Sequence, residues 1–200
     1  MKSRLILFLL LGGLWSAFSQ EKVPHDQALQ YAAILTNYTK ELRATPIPTH
    51  PDFTKPVAVR AEGHGGLVVP EQGLTTETIS RAKKEVAPLG QLWLVKLTPM
   101  DAESAVPVGK LHMVHVLHGD NEVDAACCAL GVQKTGSGPE LLVYGKGKAP
   151  ILRVPFKEIA TAQEDPIDIT GERNDDSGTI TLSFAGKYQA SFKVTDPDRD

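Results

Sequence analysis

The chain has 200 residues, of which 42% are hydrophobic and 22% are charged. This length and composition fit one globular domain with a sizeable core and argue against long disorder. The formal net charge is −3, which argues against a nucleic-acid partner because nucleic-acid binders usually carry a basic face. The 2 cysteines are too few for a disulfide-held scaffold.

Residues 1–19 have the three parts of a secretory signal peptide. Lys2 and Arg4 give a positive start, residues 5–15 form an apolar run, and Ala17-Phe18-Ser19 precedes a predicted cleavage site. The apolar run is about half of the roughly 20 residues that cross a bilayer, so we expect cleavage rather than anchoring. The protein is therefore predicted to be secreted or periplasmic, with no stable membrane insertion after cleavage.

The next segment, residues 20–45, is predicted to hold a helix. Apolar side chains recur at spacings of three and four between Asp26 and Arg43, with Asp26 as the expected N-cap. Residues 46–55 are rich in proline, which interrupts helices and favours an extended linker. The helix is expected either to pack on the following domain or to stand apart as an arm.

Residues 56–195 are predicted to form a β-rich domain, because short apolar or alternating runs are divided there by Gly and Pro turns. Leu92–Leu97 is apolar on both faces, which is typical of a central strand. One short helix is predicted over Leu74–Val86, with Thr75 as its N-cap and the flanking Leu74 and Ile79 in contact around that cap.

A C-terminal hairpin is the clearest unit of this domain. Apolar residues alternate with polar ones over residues 180–184 and again over 188–194, around Ala185-Gly186. Residues 196–200 are predicted to be a frayed acidic tail. The predicted fold class is mainly β: an antiparallel β-sandwich or open barrel with an N-terminal helix and one short inserted helix.

The densest group of potential metal ligands is His112, His115, His118, Asp120 and Cys127. Imidazole, carboxylate and thiolate groups bind zinc and copper, so this segment is a candidate metal site. On a strand His112 and His118 share one face while His115 lies on the other. The alternative is that these histidines cap strand ends or pair with carboxylates. No recognised ligand spacing is present, so no cofactor is expected, with zinc or copper as the alternative.

The adjacent pair Cys127-Cys128 is unusual in an exported chain. On a strand the two side chains point to opposite faces, which prevents a bond between them. The surrounding alanines favour two small buried residues. A redox role remains open, either as a vicinal disulfide or as a link to another chain.

The segment Gly63-His64-Gly65-Gly66 is predicted to be a loop between two strands. Its open backbone N–H groups make it a candidate ligand-binding loop. A small hydrolase with His64 near its site is a third hypothesis, and it requires a Ser, Thr or Cys nucleophile within reach of His64. Trp93 lies in the strand that is apolar on both faces, so core packing is favoured over sugar stacking.

The sequence contains no recognised catalytic or cofactor motif, which favours a non-enzymatic exported binding or structural module while leaving enzymatic activity open. Its partner would be an unknown protein or a small ligand. The alternative function is a metal-binding or redox protein that uses the segment from His112 to Cys128.

Overall fold

The computed structural model describes residues 20–38, 47–118, 121–174 and 177–197, with the backbone alone at positions 118, 121 and 174. Within these ranges the fold is mainly β, and its strands form two antiparallel sheets of eight and six strands. The predicted signal peptide of residues 1–19 lies outside the described residues. No helix within the described ranges is long and apolar enough to span a membrane.

The larger sheet supplies the frame of the molecule. Its strands are β1 (Glu21–Lys22), β2 (Val57–Ala61), β3 (His64–Pro70), β4 (Ala87–Val95), β7 (His112–His118), β8 (Asn121–Thr135), β9 (Gly138–Tyr144) and β10 (Leu152–Pro155). They pair in the order β1-β2-β3-β4-β8-β9-β10. The strand β7 also pairs with β8, so β7 and β9 follow one another along the same edge of that long strand.

The smaller sheet packs against one face of the larger sheet. Its strands are β5 (Thr98–Asp101), β6 (Ser104–Ala105), β11 (Lys157–Glu158), β12 (Ile167–Asn174), β13 (Ser177–Phe184) and β14 (Tyr188–Thr195). They pair in the order β12-β13-β14-β5-β6, with β11 beside β14. The predicted C-terminal hairpin is confirmed as β13 and β14, which join through the turn at Ala185-Gly186.

The main core lies between the two sheets and follows from the alternation of side chains along each strand. Leu92 and Leu94 of β4 point into it from the larger sheet, and Leu182 and Phe184 of β13 from the smaller one. All four side chains are fully buried. The sheets approach closely at Gly66 of β3, because a Cβ atom there would lie 2.9 Å from Cδ1 of Ile169.

The other face of the larger sheet is covered by the helix α1 (His25–Thr36). Its buried residues Ala28, Ala32 and Leu35 have helical spacing and face the sheet. This answers the open question in the sequence: α1 packs on the domain. The helix begins after Pro24 rather than after the expected cap Asp26, which lies in the first turn, where a carboxylate is favourable to the helix dipole. Residues 39–46 lie outside the described ranges.

The inserted helix α2 covers only Thr76–Ser80, so the predicted extent to Val86 is wrong. Its start is as predicted, because the Thr75 backbone N–H donates to Thr78 Oγ1 at 3.3 Å and both Leu74 and Ile79 are buried. At its end the helical Arg81 N–H to Glu77 O bond is followed by a tighter bond from the Ala82 N–H to Ile79 O, and the chain then leaves the helix. The Lys83 carbonyl accepts from the Lys134 backbone N–H at 2.8 Å, which ties this segment to the β8–β9 hairpin.

The described part of the proline-rich linker lies on the larger sheet. Ile47 is buried beside Leu142 and Tyr144. Further along, the His50 backbone N–H donates to the Glu71 carboxylate at 2.8 Å. The described part of the linker is therefore docked on the sheet, and it turns at residues 52–55, where the Lys55 N–H donates to Asp52 O at 3.1 Å.

Candidate functional site

A cavity of about 530 Å³ lies between α1 and the outer face of the larger sheet. Its lining is mostly apolar and comes from α1 and from strands β2, β3, β4, β7 and β8. This volume falls in the range of small-molecule sites, which are roughly 300–1,000 Å³ and mostly apolar. The cavity is the principal candidate site of the protein.

The cavity exists because small residues meet on the outer face of the sheet. The strand registers place Arg60, Gly65, Val95 and Ala125 in one row across four strands. Ala58 begins the neighbouring row on the same face, and all of these residues line the cavity. Gly65 and the two alanines leave the space beneath α1 that larger side chains would occupy.

Trp93 lies in the row that begins with Ala58, opposite Leu67 of the neighbouring strand. Its side chain lines the cavity and is only 1% exposed. Its indole Nε1–H has no hydrogen-bond partner among the residues that the structure describes. A buried donor without a partner costs about 1–3 kcal/mol, and because this nitrogen is fully buried it is closed to a molecule in the cavity as well as to water. The sequence-based assignment of Trp93 to core packing is confirmed, because Trp93 belongs to the buried cluster beneath α1, and the cavity lies beside it.

The Lys, Arg, Asp and Glu residues of the described lining are Glu21 of β1, Arg60 of β2 and Glu62 of the turn after β2. Arg60 Nε donates to Glu21 Oε2 at 3.1 Å, and this hydrogen bond raises the pKa of Arg60. Tyr31 of α1 lies next to this pair and is 40% exposed. Glu62 is bound by Arg173 Nη1 at 2.5 Å. The cavity therefore has an apolar interior and a polar mouth.

The predicted loop Gly63-His64-Gly65-Gly66 lines the cavity, but most of it is strand. The turn consists of Glu62 and Gly63 alone, both with positive φ (45° and 83°), as a two-residue hairpin turn requires. The strand β3 already includes His64, Gly65 and Gly66. Their backbone N–H groups therefore belong to a paired strand and not to an open loop. This part of the prediction is corrected because the tight turn lets pairing begin at His64.

The His64 side chain lies away from the cavity interior, towards the smaller sheet. Its Nε2 is 2.9 Å from Oδ2 of Asp196, and both side chains are about one quarter exposed. Asp196 was expected to lie in a frayed tail, whereas this contact holds it at the end of β14. The bond of His64 is thus to a carboxylate, not to the nucleophile that the hydrolase hypothesis requires.

The structure separates the candidate metal ligands into two faces of the β7–β8 hairpin. His112 and Cys127 are directly opposite one another in register and are both buried beneath the helix side of the sheet. His115 lies on the other face and is exposed. The side chain of His118 and the whole of Asp120 lie outside the described residues. Among the described residues no three His, Cys, Asp or Glu side chains are arranged to hold a metal ion.

His115 instead pairs with two carboxylates of β8. Its Nδ1 is 2.8 Å from Asp124 Oδ1, and its Nε2 contacts Glu122 Oε1 on the other side of the ring. The hydrogen bonds with Asp124 and then Glu122 raise the pKa of His115, because they favour the charged imidazolium. The carboxylates occupy opposite ring nitrogens, so the three groups do not converge on one point.

Cys127 and Cys128 point to opposite faces of the larger sheet, as the alternation predicts. Cys127 lies in the cluster beneath α1, and Cys128 lies in the main core. Both thiols are free and fully buried. Burial raises the pKa of Cys127 and raises that of Cys128 to about 12. Both therefore remain protonated and poorly nucleophilic at neutral pH.

Comparisons with protein-family models, with curated proteins and with solved structures found no match to this chain. The functional argument therefore depends on the geometry of the chain itself. Sequence reasoning found the glycines beside the cavity but missed Arg60, Ala58 and Ala125. One signal in the sequence could have found them: Gly or Ala occupies the positions of one strand face, while the positions of the opposite face are Val or Leu.

Proposed function

We propose that this protein is an exported, non-enzymatic binding protein that holds one small apolar molecule between α1 and the larger sheet. The observation that carries this proposal is the cavity of about 530 Å³ with its apolar lining. The signal-peptide pattern of residues 1–19 supports export, because a carrier of poorly soluble molecules outside the cytoplasm needs such a signal.

Two features of the lining support a ligand rather than unfilled space. Well-packed interiors leave few voids larger than a water molecule, whereas this cavity has a volume of about 530 Å³. The hydroxyl of Tyr31, a lining residue that is 40% exposed, also offers one polar group for a ligand oxygen. One polar group in an apolar cavity fixes the orientation of a bound molecule at small cost.

Trp93 gives a direct test, since the chain has 2 tryptophans and the other is Trp15. In the full chain carrying Trp15→Phe, fluorescence reports on Trp93 alone. We expect dodecanol to change this emission in a saturable way, at one molecule per chain. Ala125→Leu should weaken binding by at least about tenfold, because the larger side chain occupies the cavity.

The matched control is Ala105→Leu, which adds the same atoms to the exposed strand β6. This variant should bind dodecanol as the parent does. Emission that does not change with dodecanol, or equal binding by Ala125→Leu and the parent, would contradict the proposal. Circular dichroism of each variant shows whether the fold is retained.

A further inference from the structure

We infer that the bound molecule is an amphiphile whose carboxylate binds Arg60 at the mouth of the cavity and displaces Glu21. This inference rests on the proposed function and adds the chemical class of the ligand. Among the described lining residues Arg60 is the single Lys or Arg. An anionic group beside an apolar cavity would therefore be recognised at one position.

The guanidinium of Arg60 has donors to spare. Glu21 accepts from Nε alone, at 3.1 Å, although a guanidinium carries five N–H donors. A ligand carboxylate can bind guanidinium through two parallel hydrogen bonds, which is stronger and more directional than the single bond to Glu21. The neighbouring hydroxyl of Tyr31 can donate a further hydrogen bond to the same head group.

Glu21 is suited to such an exchange because its ion pair is exposed. The side chains of Arg60 and Glu21 are 46% and 63% exposed, and exposed ion pairs contribute little to stability. The backbone of β1 is held separately, by its antiparallel pairing with β2 and by the Val23 N–H to Ala58 O bond of 2.9 Å. The Glu21 carboxylate can therefore move away while its strand remains paired.

The apolar tail of the ligand then enters the space above Gly65 and Ala125, in the same row as Arg60. This order of groups, with a cation at the mouth and small residues behind it, fits a single carboxylate on an apolar chain. Glu62 does not compete for Arg60, because Arg173 binds it.

The test compares three probes with the same tail: dodecanoate, dodecanol and dodecylamine. Each is titrated into the full chain carrying Trp15→Phe, and into that chain with Arg60→Gln, Glu21→Gln or Arg153→Gln. We expect dodecanoate to bind a few-fold more tightly than dodecanol, because its charge pairs with Arg60 at a half-exposed position. Arg60→Gln should reduce the ratio of dodecanoate affinity to dodecanol affinity to about one. Glu21→Gln should raise the affinity for dodecanoate a few-fold, because it removes the competing carboxylate.

Arg153→Gln is the charge-matched control, since Arg153 pairs with Glu140 on β9 and does not line the cavity. It should leave the ratio of dodecanoate to dodecanol unchanged. Equal binding of dodecanoate and dodecanol, tighter binding of dodecylamine, or an unchanged ratio in Arg60→Gln would overturn the inference while leaving the proposed function in place. If none of the three probes binds, the proposed function itself fails.

Discussion

The two faces of the larger sheet are built from the same strands but packed differently. The face towards the smaller sheet carries Val and Leu on successive strands and forms the main core. The face towards α1 carries Ala58, Gly65 and Ala125 at neighbouring positions and encloses a cavity. Alternation along a strand lets one sequence build both faces, so the residues of the main core and those that line the cavity form separate sets.

The largest expected difference is between truncations on the two faces. Leu92→Ala in the main core should lower the free energy of unfolding by about 2–5 kcal/mol, because it leaves a new void. Leu67→Ala beside the cavity should cost about 1–2 kcal/mol less, since space is already present there. Urea denaturation measures both, and equal costs would mean that the two faces are packed alike.

Enlarging a side chain instead of truncating it compares the two faces at two adjacent residues. Ala125→Leu adds atoms to the cavity and should change the free energy of unfolding by less than about 1 kcal/mol. Ala126→Leu adds the same atoms to the filled core and should destabilise by about 1–3 kcal/mol. Thermal unfolding of the pair provides the measurement. A larger loss for Ala125→Leu than for Ala126→Leu would contradict the assignment of the faces.

The smallest expected effect on stability concerns His115. This residue lies on the face of the larger sheet that carries the main core, but at a position that the smaller sheet does not cover. Its raised pKa means that the folded protein holds this proton more tightly than the unfolded chain, whose value is about 6.5. The resulting stabilisation is fully present below about pH 6.5 and is lost as the pH rises through the folded pKa.

Proton NMR of the His115 ring checks this expectation. The ring should titrate above about pH 6.5, and Asp124→Asn should lower its pKa because Asp124 is the leading cause of the shift. Glu140→Gln, which changes a carboxylate on β9, should leave the titration of His115 unchanged. A ring that titrates below about pH 6.5 would show that the two carboxylates do not hold the proton.

The fold class could be predicted because alternation is a local signal. The hairpin of β13 and β14 repeats apolar residues at every second position, and the structure buries Ile180 opposite Phe192 accordingly. The end of α2 could not be predicted in this way. The chain after that end bonds to distant residues, since the Lys83 carbonyl accepts from the N–H of Lys134, about fifty positions away.

The candidate site was predictable only in part, for the same reason. The glycines beside His64 were visible in the sequence, and they do line the cavity. Ala58, Gly65 and Ala125 become neighbours only through strand registers that join distant parts of the chain. The opposed pair of His112 and Cys127 likewise depends on the β7–β8 register.

The two adjacent buried cysteines can be used to measure how the layers on either side of the larger sheet open. Cys127 becomes accessible only when the α1 layer lifts, whereas Cys128 requires the two sheets to part. A thiol reagent in excess would therefore label Cys127 and Cys128 at different rates, although the two residues are neighbours on one strand. An amphiphile seated beneath α1 should slow labelling of Cys127 more than that of Cys128. The ratio of the two labelling rates thus compares opening of the α1 layer with separation of the two sheets.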